Sequence, residues 1–310
     1  VEFNDDAGLD TSQVEDMRSS GGGGGTGGRV LLGGGGLGIV GLIIYLVMSQ
    51  LGGVGGFDGN SSASGIGDVG NGQKVDNAKL SEQCRTGKDA NTKHDCALVA
   101  VINSIQGYWQ DQFARSGQTY RKAPTNFFKG GVRTACGSAT SDVGPFYCPG
   151  DSEVYIDLAF FDQLKTQFGA QGGTFVEAYV IAHEYGHHVQ NLLGISDRVR
   201  TRRGPASDAV RLELQADCYA GVWAKHATTQ PSVNGGPPLI KAITDDDIRR
   251  ALDAASRIGD DFIQRELGGG KVDQSQFTHG TSKQREKWFT TGIRSGNPTE
   301  CDTFRTNNLG

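Results

Sequence analysis

Two histidines four residues apart, in the run His183-Glu184-Tyr185-Gly186-His187, are the first residues able to do chemistry. On a helix that spacing sets both imidazoles on one face, one turn apart, where they can share a metal ion. Glu184 is offset from that face. It is therefore placed to touch a water activated by the ion rather than the ion itself, the position of a general base in hydrolysis. Two core histidines beside an exposed glutamate would give the same string. The context favours the metal, because the flanks are uncharged and the motif falls in the middle of a helical pattern with its own start and stop signals.

Zinc hydrolases use three protein ligands and one open position, so a third donor has to come from a neighbouring element. The run Glu213-Leu214-Gln215-Ala216-Asp217 follows about 25 residues after His187. Glu213 is the expected ligand. Asp217, one helical turn on, faces the same way and can accept a hydrogen bond from the second nitrogen of a ligand histidine. The reverse assignment, with Asp217 as the ligand, stays open, as does a solvated acidic stripe. Ala216, Ala220 and Ala224 are small enough for two helices to approach closely, which favours the metal.

His279, in a turn flanked by Gly280, is a candidate donor to the oxyanion of a tetrahedral intermediate, or else a turn histidine anchoring the next helix. Arg285 could support His279, bind a substrate carboxylate, or form a surface ion pair. His188 lies about 100° around the helix from His187 and points to packing. Tyr155 lies on an expected strand that could pair with an extended peptide or sit inside the sheet. No partner is evident for His94 or His226.

HExxH followed by ExxxD resembles the gluzincin group of zinc metallopeptidases. The strings Ala182-His183-Glu184-Tyr185-Gly186-His187-His188, Glu213 to Asp217, and Phe277-Thr278-His279-Gly280 leading into Gln284-Arg285 resemble more closely the bacterial membrane-anchored neutral zinc metallopeptidases. That resemblance runs from a single N-terminal span to Cys301-Asp302-Thr303-Phe304. It implies that His183 and His187 are metal ligands and Glu184 the base. Glu213 as third ligand follows from the wider gluzincin pattern.

Behind the motifs, five helices are expected: Asp95 to Ser116, Thr174 to Leu193 with a Thr174/Glu177 capping box, Ser207 to about His226, one opening at Thr244, and one from Thr281 to before Gly296. Caps and apolar period carry these assignments. Glu153 to Asp157 alternates and reads as a strand. The expected fold class is α+β, a helix-rich zincin-like domain with a small sheet, preceded by one transmembrane helix.

Of 310 residues, those before Lys79 hold roughly half of the 48 glycines, too few packable side chains to offset ordering entropy. The expected organisation is therefore a disordered cytoplasmic tail over 1–29, a transmembrane anchor over 30–51, a Gly/Ser-rich stalk over 52–78 and a metallopeptidase domain over 79–310. The uncharged span is long enough for a bilayer, and Arg18 and Arg29 on its N-terminal side predict a cytoplasmic N-terminus with the catalytic domain outside. A cleaved signal peptide is the competing possibility. Six cysteines suit an oxidising compartment. Fifteen pairings are possible, and local spacing favours Cys84 with Cys96 and Cys136 with Cys148, leaving Cys218 with Cys301. A net charge of -5 gives no basic surface for nucleic acid.

The expected function is zinc-dependent peptide-bond hydrolysis outside the cytoplasmic membrane. Zn2+ is the cofactor, a peptide or protein the substrate, and the bilayer a partner through the N-terminal helix. The alternative is a zinc-stabilised envelope binding module without turnover. An amidase acting on cell-wall material would share the same chemistry.

Overall fold

The computed structural model describes residues 1–18, 76–232 and 235–310. Helix α1 is His94–Arg115, α2 Ala159–Thr166, α3 Thr174–Leu192, α4 Asp208–His226, α5 Asp245–Arg257 and α6 Ser282–Ser295. Thr244 and Thr281 start α5 and α6 through reciprocal boxes with Asp247 and Gln284, which satisfy amide donors left open at a helix start. Gly296 ends α6 in the left-handed conformation. The expected Thr174/Glu177 box does not form. Helix α3 is entered from Gly173 at φ 124°, and the Glu177 carboxylate instead meets the His94 imidazole at 2.6 Å, tying α3 to the first turn of α1.

Strands β1 (Glu2–Phe3), β2 (Val14–Asp16), β3 (Thr125–Phe128), β4 (Gly131–Thr134), β5 (Gly137–Thr140), β6 (Phe146–Cys148), β7 (Glu153–Asp157) and β8 (Ile240–Ala242) form one main sheet and two ribbons. The main sheet has the order β2-β3-β7-β6, while β1 pairs with β8 and β4 with β5. β2, β3 and β7 are parallel and β6 is antiparallel to β7. The Tyr155 strand is therefore inside the sheet, and its hydroxyl bonds Asp151 and Glu153 at 2.9 and 3.0 Å. Edge addition of a peptide at β7 is ruled out; β6 is the outer strand on that side.

Helix α4 packs against both α3 and α6, and glycine lets the backbones meet. A Cβ on Gly186 would stand 2.9 Å from the Ala216 Cα. One on Gly221 would overlap the Phe289 carbonyl, and one on Gly292 the Cys218 carbonyl. The disulfides are Cys84–Cys96, Cys136–Cys148 and Cys218–Cys301, with no free cysteine, the set that local spacing favours.

The N-terminal expectation requires correction. Residues 1–18 are not a loose tail: Glu2 pairs with Ala242 and Val14 with Thr125, Phe3, Ala7 and Val14 are buried, and Arg18 bonds Asp16 and Asp95 at 2.6 and 2.7 Å. The expected anchor over 30–51 lies outside the described residues, as does the stalk up to residue 75. Among the described residues no helix is long and apolar enough to cross a membrane. The transmembrane part of the fold class, the single-pass localisation and the bilayer partner are withdrawn on these grounds.

The helix interface predicts a sharp response to one methyl group. Gly292→Ala should lower the unfolding free energy by at least about 1–3 kcal/mol through overpacking, read from the denaturation midpoint. Gly8→Ala, whose methyl would meet nothing within 4 Å, should stay within about 0.5 kcal/mol of the parent.

Candidate metal centre

Helices α3 and α4 bring three donors together. His183, His187 and Glu213 are buried, and one ligand atom from each lies within 4.8 Å of the others. His183 Nε2 is 3.2 Å from His187 Nε2 and 3.1 Å from Glu213 Oε2, and His187 Nε2 is 3.5 Å from Glu213 Oε1.

The far side of each ring decides what the near side can do. His183 Nδ1 lies 2.8 Å from Asp217 Oδ1, and an ionised carboxylate accepts only, so Nδ1–H is the donor. His187 Nδ1 lies 2.9 Å from Gln190 Oε1. The Gln190 amide nitrogen donates to the Leu212 carbonyl at 2.7 Å and to Gln215 Oε1 at 3.1 Å, which leaves Oε1 as acceptor and His187 Nδ1–H as donor. With both Nδ1 atoms turned outward, both Nε2 atoms face each other and a carboxylate. Three electron-rich atoms at this separation call for a cation, and a His/His/Glu set suits zinc.

Asp217 is held by more than His183. Arg285 donates to it through Nε and Nη2, both at 2.9 Å, and the Tyr179 hydroxyl donates at 2.6 Å. Burial alone would raise the Asp217 carboxyl, but the charges of Arg285 and His183 hold it down at about 2. Asp217 is thus turned to Nδ1 of His183, while Glu213 meets the Nε2 atoms. Arg285 is committed to Asp217, not to His279 or the surface.

Burial lifts the Glu184 carboxyl above its ordinary range, partly offset by His183 and His187, and the Tyr147 backbone N–H of β6 donates to it. Glu184 and His279 line one cavity with the three donors. His279 is set by Asp260, whose Oδ2 accepts from the backbone N–H of Thr278, His279 and Gly280 at 2.7, 2.7 and 2.9 Å. Burial opposes protonation of His279, yet the charges of Glu213 and Asp260 push its imidazole up.

The other histidines have structural partners. His188 points away, between the Tyr147 hydroxyl at 3.1 Å and the Arg121 carbonyl at 2.6 Å, and burial lowers its imidazole to about 4. His226 bonds the Gly296 carbonyl at 2.8 Å. Gln190 and Asp260 went unnoticed in the sequence. Gln190 is three residues after His187, a spacing that puts it within reach on a helix; for Asp260 no local signal exists.

The second-nitrogen contacts give a measurable expectation. Asp217→Asn and Gln190→Ala should each weaken zinc binding about 10- to 100-fold in a chelator competition. Glu213→Ala should abolish stoichiometric zinc in elemental analysis.

Comparison with known proteins agrees with this chemistry. The family described as "putative neutral zinc metallopeptidase" matches residues 6–304. The chain is 48% identical over 229 residues to the uncharacterized protein Rv2575 of Mycobacterium tuberculosis, covering 74% of this chain and 76% of that protein. It is 42% identical over 239 residues to the uncharacterized protein YpfJ of Escherichia coli K12, covering 75% and 78%. No solved structure matches significantly. With nearly its whole described length matched, and with two histidines and a glutamate converging on one point, the chain belongs to this zinc metallopeptidase family.

Proposed function

We propose that the chain hydrolyses peptide bonds with zinc held by His183, His187 and Glu213. The observation that carries this reading is the placement of Glu184: a buried carboxylate, oriented by the Tyr147 N–H, in the cavity lined by the three donors. Zinc in such a site supplies Lewis acidity, acidifying a water and polarising the carbonyl to be attacked.

The chain's own groups then move protons. Glu184 takes one from the water as its oxygen bonds the carbonyl carbon, and delivers it to the leaving nitrogen as the C–N bond breaks. One water enters; a carboxylic acid and an amine leave. Burial favours this exchange, because a carboxyl lifted from its ordinary range is a better acceptor and still returns the proton. His279, turned by the Asp260 loop and with its imidazole pushed up by its acidic neighbours, donates a hydrogen bond to the developing oxyanion. Asp217 and Gln190 keep both imidazoles in the tautomer with Nε2 free.

Glu184→Gln tests the reading, since it keeps shape and hydrogen bonding but removes the base. The variant should retain zinc and thermal stability yet lose hydrolysis of a broad peptide library by about 100-fold or more. His279→Ala should keep zinc and lose mainly kcat. Wild-type activity in Glu184→Gln would sink the mechanism. A zinc-loaded, folded wild type that cleaves nothing would favour the binding module.

A further inference from the structure

We propose that the cavity beside the metal-binding residues selects an apolar side chain from the interior of a polypeptide and grips neither chain terminus. This rests on the peptidase reading and names the substrate class of that site.

The cavity next to His183, Glu184, His187 and Glu213 is walled by Val143, Phe146, Phe160, Phe168, Val180 and Ile263. Five of these are buried and Phe160 is half-buried. The wall is built rather than accidental. Gly144 adopts φ 76°, and a Cβ there would stand 3.2 Å from the Phe160 ring, so the loop between β5 and β6 closes directly on α2. Such a wall rewards an aliphatic or aromatic side chain through the water it displaces. It penalises Asp or Lys, whose charge would be desolvated without a partner.

The polar groups of the cavity are committed elsewhere. Recognition of a C-terminal carboxylate needs a cation; His279 is committed to the oxyanion in the proposed mechanism, and the lining residue with permanent positive charge is Arg285. Its guanidinium already serves Asp217 twice, the Tyr179 hydroxyl at 3.3 Å and the Ile258 carbonyl at 3.3 Å. Recognition of an N-terminal ammonium needs a carboxylate. Glu213 faces the two imidazoles, and pairing Glu184 with an ammonium would withdraw the base from its water. A terminus entering here would lose hydration and gain nothing, whereas an interior segment carries no such charge.

The experiment uses the zinc-loaded full chain and peptides of matched sequence, either free-ended or acetylated and amidated, with the residues flanking the scissile bond varied. Cleavage is measured on wild type, and binding of the same peptides by calorimetry on Glu184→Gln, which separates recognition from turnover. Blocking both ends should leave kcat/KM within about threefold. Replacing the apolar residue by Asp or Lys should lower kcat/KM and binding at least about tenfold, the scale at which an apolar pocket discriminates. Phe160→Lys, at a half-buried position, should shift the preference toward an acidic residue. Val143→Lys serves the same purpose if Phe160→Lys fails to fold by circular dichroism. A free terminus required for cleavage, or binding indifferent to the apolar residue, overturns the proposal. Apolar-selective binding of blocked peptides with no cleavage by wild type would sink the peptidase reading and leave the pocket assignment standing.

Discussion

A carboxylate with no exposure to solvent, Asp217, has to be paid for by its surroundings, and the helical half of the molecule is arranged to do so. Its oxygens accept from Arg285 of α6, Tyr179 of α3 and His183 of α3, while Asp217 itself belongs to α4. One buried anion thus ties three helices together. Removing one partner from such a pair costs about 3–5 kcal/mol, because the other charge stays buried and unmatched. The glycine contacts at Gly186, Gly221 and Gly292 are the steric side of the same requirement: without close backbones, hydrogen bonds of this length could not span three helices.

The remaining polar groups of the site follow that pattern of support from outside the cluster. Gln190 orients His187 and is itself fixed by the Leu212 carbonyl and by Gln215, whose amide donates in turn to the Cys301 carbonyl at 3.0 Å. The Cys218–Cys301 disulfide holds that last carbonyl against α4. A bond in the C-terminal segment is in this way coupled to the tautomer of the His187 imidazole.

How much of this was legible depended on whether the geometry was local. Helical spacing is rigid, so His183, His187, Glu213 and Asp217 could be put on facing surfaces from the sequence, and Thr244, Thr281 and Gly296 marked helix ends correctly. Arg285 was visible as a candidate without its partner, because Asp217 lies 68 residues away and no local pattern encodes that distance. Alternation in Glu153 to Asp157 identified a strand but not its neighbours, so Tyr155 could not be assigned to an edge or to the interior. Glu177 satisfied a capping pattern and was taken by His94 instead, a tertiary contact overriding a local one. The largest misreading was the N-terminal segment: strands of two or three residues produce no periodic signal, and Phe3, Ala7 and Val14 are too few to stand out among acidic neighbours.

That segment also bears on the order in which the molecule can assemble. β2 joins the sheet beside β3, and β1 waits for β8, whose residues follow both α3 and α4 in the chain. On a ribosome β1 must therefore remain unpaired until β8 has emerged, and contacts of such long sequence separation slow folding. Until β2 arrives, β3 is an outer strand with free backbone donors and acceptors, a template for pairing with another chain. A version of the protein trimmed to begin at Lys79 would carry that open strand permanently, and its solubility, more than its His183/His187/Glu213 cluster, would show the loss.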